Sequence, residues 1–492
     1  MASFLLDILT WLSIIVGIAI AYLIKQLISK LVSPLNKIPG LPTWSPLGHL
    51  LIIMKEPPGD PYLQWSEQHG GIVRYCFPIY SQRVAITDPE YIKHVLVTQC
   101  IKYRKPLRTK AFLGDLIGEG LLLLEGQKHA KVRKIINPTF KYNKIKEMAP
   151  VFQNFAQLLV NYWQNEIDER GDQKATLNVH QDFARITLDI ICKCAFDYDC
   201  NSLTNENNQV SVAFRKIIGG LTLNWTYLVP GFKYLPTSSN REKSRALSIC
   251  HSTVKKVIDQ KLEKGSIDEE KCLLDILLSL KDEENNPSFT GKELQDQIMT
   301  FMAAGHETTS VALTWTLYAL ASNPELQEKV RKEICKVIQP SDNITWSTFD
   351  ELLYLENVIK ESLRLYPPAP LTFREATADD KLGKYFIPKG TTIAILAPHR
   401  SSKYFEEPLK FNPDRWDNSA KNTSPYAYMP FLRGPRICIG SKFALTEMKC
   451  ILSLLLSNFS FQPYPNQQIE RKLHITMRPY PPLKLIVSPV SP

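Results

Sequence analysis

The sequence predicts a mainly α body with small β-sheets (α+β), preceded by one N-terminal transmembrane helix. Three observations predict this. Residues 8–24, "ILTWLSIIVGIAIAYLI", form an uncharged, mostly apolar run of about 17 residues, near the lower length for crossing a bilayer. Helical periodicity dominates the rest, and one pattern from Thr290 to Asn323 covers roughly 30 residues, about 45 Å of helix. Strand-like alternation is confined to short stretches such as "YFIPKGTTIAILAPHR", which a Pro-Lys-Gly turn interrupts. At 492 residues and 44% apolar composition the chain can bury a large core. No Gly/Ser-rich or charged linker divides it after about residue 60.

Taken in order, residues 1–25 read as a membrane anchor. Asp7 is the only charged side chain before the apolar run, whereas Lys25 and Lys30 follow it, so the body is expected on the cytosolic side. A cleaved signal peptide would want a basic start, a shorter apolar stretch and a small-residue cleavage site, which are missing. Residues 26–55 are a basic hinge with prolines at 34, 39, 42 and 46, a semi-rigid spacer. Residues 56–492 form one body. Its ten cysteines show no CxxC and no disulfide framework, which fits a reducing compartment. The net charge of +10 suits an anionic membrane surface or an acidic protein. Nucleic acid is the weakest option, because the basic residues are interspersed. Neither GxxxxGK[ST] nor GxGxxG occurs.

The long helix opens on a capping box, Thr290 with Glu293, and Pro324 stops it. At its centre, "AGHETTS" (304–310) gathers residues that a buried helix should avoid. Gly305 costs about 1 kcal/mol relative to alanine. Glu307 is an acid in an apolar run, and Thr308 and Thr309 can bond back to carbonyls. A packing glycine beside surface polar residues is the plain reading. The clustering favours a functional one, with Glu307 and Thr308 as a proton relay. His306 reads as a packing residue.

Further on, Glu361 and Arg364 share a helix face, and Arg415 in "FNPDRW" offers a second guanidinium for the same carboxylate. In "PFLRGPRICIG" (430–440), Cys438 stands just before an amphipathic helix. The helix dipole and Arg436 would there favour a thiolate. Three readings stay open from the residues alone: a nucleophile, a redox cysteine, or a thiolate metal ligand.

In this order, the anchor, the proline hinge, "AGHETT", "ESLR", "PDRW" and "FLRGPRICIG" resemble the cytochrome P450 family of haem-thiolate monooxygenases, of the eukaryotic microsomal type. The resemblance implies a fold with the long central helix lying over a haem b. It implies Cys438 as axial iron ligand with Phe431 packed beside it, and Glu307 and Thr308 handling protons. It implies a buried lock of Glu361, Arg364 and Arg415, and a propionate clamp of His129, Arg133, Arg374 and Arg436. Leu432 departs from the small or polar residue usual after the phenylalanine, and an altered packing under the haem is expected there.

The same resemblance implies insertion of one atom of O2 into a hydrophobic substrate, with electrons from NADPH through a separate reductase. That partner is NADPH-cytochrome P450 reductase, with cytochrome b5 as a second candidate donor. The expected location is the endoplasmic reticulum membrane. The reductase would dock on basic residues including Lys131, Lys134, Arg433 and Lys442. Substrate walls are expected at the 103–121 loop, the 210–235 segment, Phe301, Ala304, Leu371 and Phe373. An oxygen-independent haem isomerase or lyase, or a haem sensor without turnover, are the alternatives on the same fold.

Overall fold

The computed structural model describes residues 2–220, 231–263, 272–280, 288–338, 346–418 and 424–490; part of the 210–235 segment lies outside them. Helix α1 (Ala2–Val32) runs past Lys25 and Lys30, so the proline-bearing spacer begins at Ser33. Its stretch Leu9–Val32 is long and apolar enough to cross a membrane; its apolar part is exposed, and Lys30 near its end is buried against Trp44 and Tyr80. Strands β1 (Ile72–Phe77), β2 (Ser81–Ile86) and β3 (Tyr103–Arg104) follow. Then come α2 (Gly126–Ile136), α3 (Tyr142–Asp168), α4 (Val179–Phe196), α5 (Gln209–Gly220), α6 (Gly291–Ala321) and α7 (Leu353–Leu365). The chain closes with β4 (Thr372–Ala376), β5 (Thr392–Ile395), α8 (Ser441–Asn458) and the hairpin β6 (Glu470–Leu473) and β7 (Met477–Tyr480). Helix dominates and the sheets are small, as the sequence predicts.

Helix α6 organises the core. Thr290 and Glu293 form the expected capping box, each satisfying a backbone N–H of the first turn. The helix ends at Ala321, with Ser322 as C-cap ahead of Pro324. The apolar faces of α3, α4, α6 and α8 meet in one large cluster that includes Phe152, Trp163, Phe183, Leu313 and Leu455. Crossing helices need small residues where their axes come close, and Gly305 supplies one: a Cβ there would lie 2.8 Å from Ile191 Cγ1 on α4. At the far end, Trp315 stacks on Tyr366 with ring centroids 4.5 Å apart and donates to the Met477 carbonyl at 2.7 Å. Thr316 reaches Ser362 on α7 at 2.9 Å.

The main sheet has the order β1-β2-β5-β4-β3. β5 runs parallel to β2 (Val84 opposite Ile393) and antiparallel to β4 (Arg374 opposite Ile393). This register fixes Arg374 on the strand nearest β3. Gly305→Ala gains about 1 kcal/mol of helix propensity but must overpack against Ile191, a cost of roughly 1–3 kcal/mol. Denaturant melts should show Gly305→Ala to be destabilising alone and markedly less so in an Ile191→Ala background. Simple additivity of the two substitutions would mean that Gly305 does not set the α4–α6 approach.

Candidate active site

The segment before α8 is a tight loop built on its own backbone. Cys438 N–H donates to the Phe431 carbonyl at 2.8 Å, Leu432 to Met429 at 3.0 Å and Ile437 to Gly434 at 3.0 Å. Gly434 has φ +76°, and a Cβ there would sit 2.3 Å from the Leu96 carbonyl oxygen, so only glycine fits. A Cβ on Gly440, by contrast, would meet nothing within 4 Å, so this backbone borders open space. Leu432 adopts φ +61°. Its oddity is therefore in the backbone: a leucine occupies a left-handed position that costs roughly 1–2 kcal/mol.

Cys438 has exposed surface, yet the surrounding protein desolvates its thiol. The sulfur's residue thus keeps accessible surface while protein surrounds the thiol on most sides. Burial raises the thiol above its usual range, against the pull of the Gly440 N–H and the Arg133 charge. The protein alone thus does not make a thiolate here, and the cation facing the sulfur is Arg133 rather than Arg436. In the middle of α6, Ala304 is exposed and Gly305 and Thr308 half-buried, between neighbours that are otherwise buried. The Thr308 hydroxyl donates to the Ala304 carbonyl at 2.8 Å. These two present the accessible face of the helix.

A second feature is a concentration of positive charge. His129 and Arg133 stand one turn apart on α2, with His129 buried. Arg374 is only 4% exposed; it donates to Thr372 Oγ1 and the Phe373 carbonyl, and its Nη2 has no partner. Arg436 pairs with Glu125, while its Nη1 is likewise unpartnered. Lys105 completes the group. Desolvation, then Arg374 and Arg436, push it down to about 7. His129 is pushed down to about 4 by burial and by Arg436, Lys105 and Arg133. One carboxylate, Glu125, faces these bases. Two orphaned guanidinium nitrogens and two bases driven toward neutrality describe a binding site for a group carrying more than one negative charge.

Glu361 has no exposed surface. Its Oε1 accepts from Arg364 Nη2 (2.8 Å), Arg415 Nε (3.0 Å) and Asn412 N–H (3.0 Å). Its Oε2 accepts from Arg364 Nε (2.9 Å) and Trp416 Nε1 (3.1 Å). The three residues that sequence spacing paired are thus joined in one network, with Trp416 as an additional member.

Glu307 lies elsewhere than a free relay would. It is 2% exposed and gripped by Arg478 and Thr476 from the β6–β7 hairpin. Burial would raise this carboxyl, but the Arg478 charge and hydrogen bonds hold it below its ordinary value. His306 is buried, donates from Nδ1 to the Met302 carbonyl and packs on Phe214. Phe301 is buried and stacked on Phe140 at 5.5 Å, which commits its ring to the core. Leu371 and Phe373 are half-buried against a smaller cluster. The 103–121 segment, expected as a loop, carries a helix over Leu107–Ile117 and is tied to α6: Glu119 N–H donates to Asp296, Leu121 N–H to Gln297, and Thr300 to the Ile117 carbonyl. Lys105, Glu125, Thr476 and Arg478 are the site residues that sequence reasoning missed. The basic run "YRKPLRTK" was the only local signal for the first.

Among the described residues, no group of three or more His, Cys, Asp or Glu converges as a metal site. A family model described as cytochrome P450 matches residues 38–487. Cytochrome P450 4c21 of Blattella germanica is 33% identical over 92% of this chain and 93% of its own length. Cytochrome P450 3A7 of Homo sapiens is 32% identical over 94% and 93%. Cytochrome P450 monooxygenase 205 of Postia placenta is 31% identical over 94% and 93%.

Two outcomes follow from the geometry. Glu361→Gln leaves two buried guanidiniums short of a counter-charge and should cost about 3–5 kcal/mol, read as a loss of thermal stability. A melt within experimental error of the parent would show the network to be dispensable. Leu432→Gly relieves the left-handed strain and should stabilise the protein by up to about 1 kcal/mol. A destabilised Leu432→Gly would mean that side-chain packing outweighs the backbone cost.

Proposed function

The chain belongs to the cytochrome P450 family, and from that premise we propose that it is a membrane-anchored monooxygenase in which Cys438 is the axial ligand of the haem iron. Family membership makes the chain a haem-dependent monooxygenase. The residue roles, the anchoring and the redox partner are the proposal. The observation that carries it is the lone accessible, desolvated thiol of Cys438. A single sulfur donor suits a metal that arrives with its other ligands already in a macrocycle, and among the described residues no group of three or more His, Cys, Asp or Glu gathers at it.

The residues present fit haem b. Arg374 and Arg436 each keep an unpartnered N–H for a propionate, and Lys105 and His129 stand beside them. Gly440 and Ala304 leave room where side chains would obstruct a flat ring. When bound, thiolate-ligated haem supplies O–O cleavage and oxygen insertion into a C–H bond. The chain's own residues do the rest. Arg133 faces the sulfur and favours its deprotonated form once a metal takes it. Thr308 offers a hydroxyl on the accessible face of α6, and Glu307, its neighbour in sequence, holds the proton-exchanging carboxylate. Leu371 and Phe373 give an apolar rim that excludes water and suits a hydrophobic substrate.

We assign α1 as the anchor, in the endoplasmic reticulum membrane with the body cytosolic. The electron donor is then NADPH-cytochrome P450 reductase, with cytochrome b5 as an auxiliary partner. Lys131, Lys134 and Lys442 are exposed and Arg433 half-buried, which leaves a basic face for an acidic partner.

The reduced protein should give the carbon-monoxide difference spectrum of thiolate ligation, and Cys438→Ser should abolish it. Persistence of that spectrum in Cys438→Ser would remove the ligand assignment. With reductase, oxygen consumption should be NADPH-dependent and yield a hydroxylated product from a library of hydrophobic substrates. A Lys131→Glu, Lys442→Glu variant should slow reduction at low salt while retaining haem; an unchanged rate would place the dock elsewhere.

A further inference from the structure

Arg478 is 171 positions from Glu307 in sequence, yet it makes the principal contact of that carboxylate. Its Nε donates to Oε1 at 2.8 Å and its Nη2 to Oε2, while the Thr476 hydroxyl also donates to Oε1. A two-pronged guanidinium contact fixes the plane of a carboxylate as well as its charge. On this side, α6 borders a cavity of about 190 Å³ whose walls include His180, Ala184, Arg215 and Ser211, together with Glu307 and Arg478 themselves. At about 30 Å³ per molecule, that is space for roughly six waters. Glu307 is thus at a boundary: its carboxylate borders a cavity of mixed lining, where Leu188, Phe214 and Ile218 stand beside the polar groups, and the next residue, Thr308, belongs to the accessible face of α6.

We propose that Arg478 is the positioning residue for proton supply, holding the Glu307 carboxylate, with help from Thr476, between this water space and the Thr308 side of the helix. Protons then pass from water in the cavity to Glu307 and onward to Thr308; Arg478 neither gives nor takes one. The inference rests on the monooxygenase reading of the site.

The surrounding charges support this assignment. His180, His306 and His474 face the same region, and burial lowers all three, so they stay neutral and do not compete for the proton. Arg185 is engaged by Asp182 and Glu206. The Gln181 amide oxygen, in its hydrogen-bonded orientation, takes Arg185 at 2.7 Å and Arg215 at 3.0 Å. Arg478 is therefore the cation that acts on Glu307 directly. Without it, only the Thr476 hydroxyl and the weaker influence of His180 and His306 oppose desolvation, and the carboxyl is raised. An acid held low gives its proton up readily, which a relay requires; one held high retains it.

The test uses the full-length holoprotein with its reductase. An infrared titration follows the protonated-carboxyl band that Glu307→Gln removes. Arg478→Gln should move the midpoint of that band upward by about one pH unit or more, and Arg478→Lys by less. In turnover, Arg478→Gln should divert more electrons to peroxide and shift the alkaline limb of the coupling profile upward, because the carboxyl now stays protonated to higher pH. Thr476→Val, which keeps the charge, should raise peroxide release with a smaller midpoint shift. Ala184→Phe, which fills the cavity without touching Glu307, should raise peroxide release and leave the midpoint in place. An identical Glu307 midpoint in Arg478→Gln and the parent overturns the positioning role, and unchanged peroxide release in Ala184→Phe overturns the cavity route. Failure of the monooxygenase reading would appear separately, as absence of NADPH-dependent product in the parent with the infrared titration still readable.

Discussion

A carboxylate with no exposed surface stays ionised only if its lone pairs are met by donors and its charge by cations, and Glu361 satisfies both. Much of the proximal architecture depends on that condition. Arg364 uses its remaining nitrogen to hold the carbonyls of His399 (2.7 Å) and Pro408 (2.6 Å), and Arg415 holds Glu406 at 2.8 Å. His399 in turn accepts the Met429 N–H at 3.1 Å, and Met429 begins the loop that carries Cys438. Tyr428, next to Met429, donates to the Lys360 carbonyl on α7. A single buried acid is thereby connected, through these backbone contacts, to the placement of one sulfur. This is why charged groups persist in a core where apolar ones would pack at lower desolvation cost: they fix where irregular backbone goes.

Helix α6 solves a different problem, since its faces must serve three neighbours at once. Gly305 lets α4 approach, Ala304 and Thr308 keep an accessible strip, and Glu307 turns to the β6–β7 hairpin. Consecutive residues on a helix are separated by about 100°, so Gly305 and Glu307 point to opposite sides of the strip that Ala304 and Thr308 share. The local cost in propensity is met by the strong cap at Thr290 and by the apolar turns from Val311 to Ala321, which are buried except at half-buried Tyr318.

What was legible in the sequence was whatever short-range spacing encodes. The capping box, the stop before Pro324, the Glu361–Arg364 pair and the loop-to-helix transition at Cys438 all depend on residues within a few positions of one another. Distant partners left no such mark. Arg478 sits in an ordinary alternating segment, Glu125 in a loop, and Lys105 among other basic residues whose common function is to be solvated. Phe301 shows the converse: its type suited a pocket wall, but only the fold could show that Phe140 takes its ring. Leu432 was visible as an anomaly, yet its cause is a torsion angle, and no side-chain argument from sequence could have named it. The end of the first helix was similarly hidden, because lysines at 25 and 30 are good helix formers and α1 continues through both.

The basic cluster gives the last step. Lys105, His129, Arg133, Arg374 and Arg436 are brought together by β3, α2, β4 and the Cys438 loop, elements that otherwise have few reasons to converge. Burial first, and then repulsion among them, lowers Lys105 and His129, and one carboxylate, Glu125, does not offset it. A protein that concentrates charge at a point where its own chain supplies so little opposite charge has left a structural role to its ligand. The two propionates of a haem would satisfy the orphaned nitrogens of Arg374 and Arg436, and the iron would take the sulfur that burial otherwise keeps protonated. On this reading the cofactor is a member of the core, binding the sheet, α2 and the start of α8 through bonds that the polypeptide cannot make to itself.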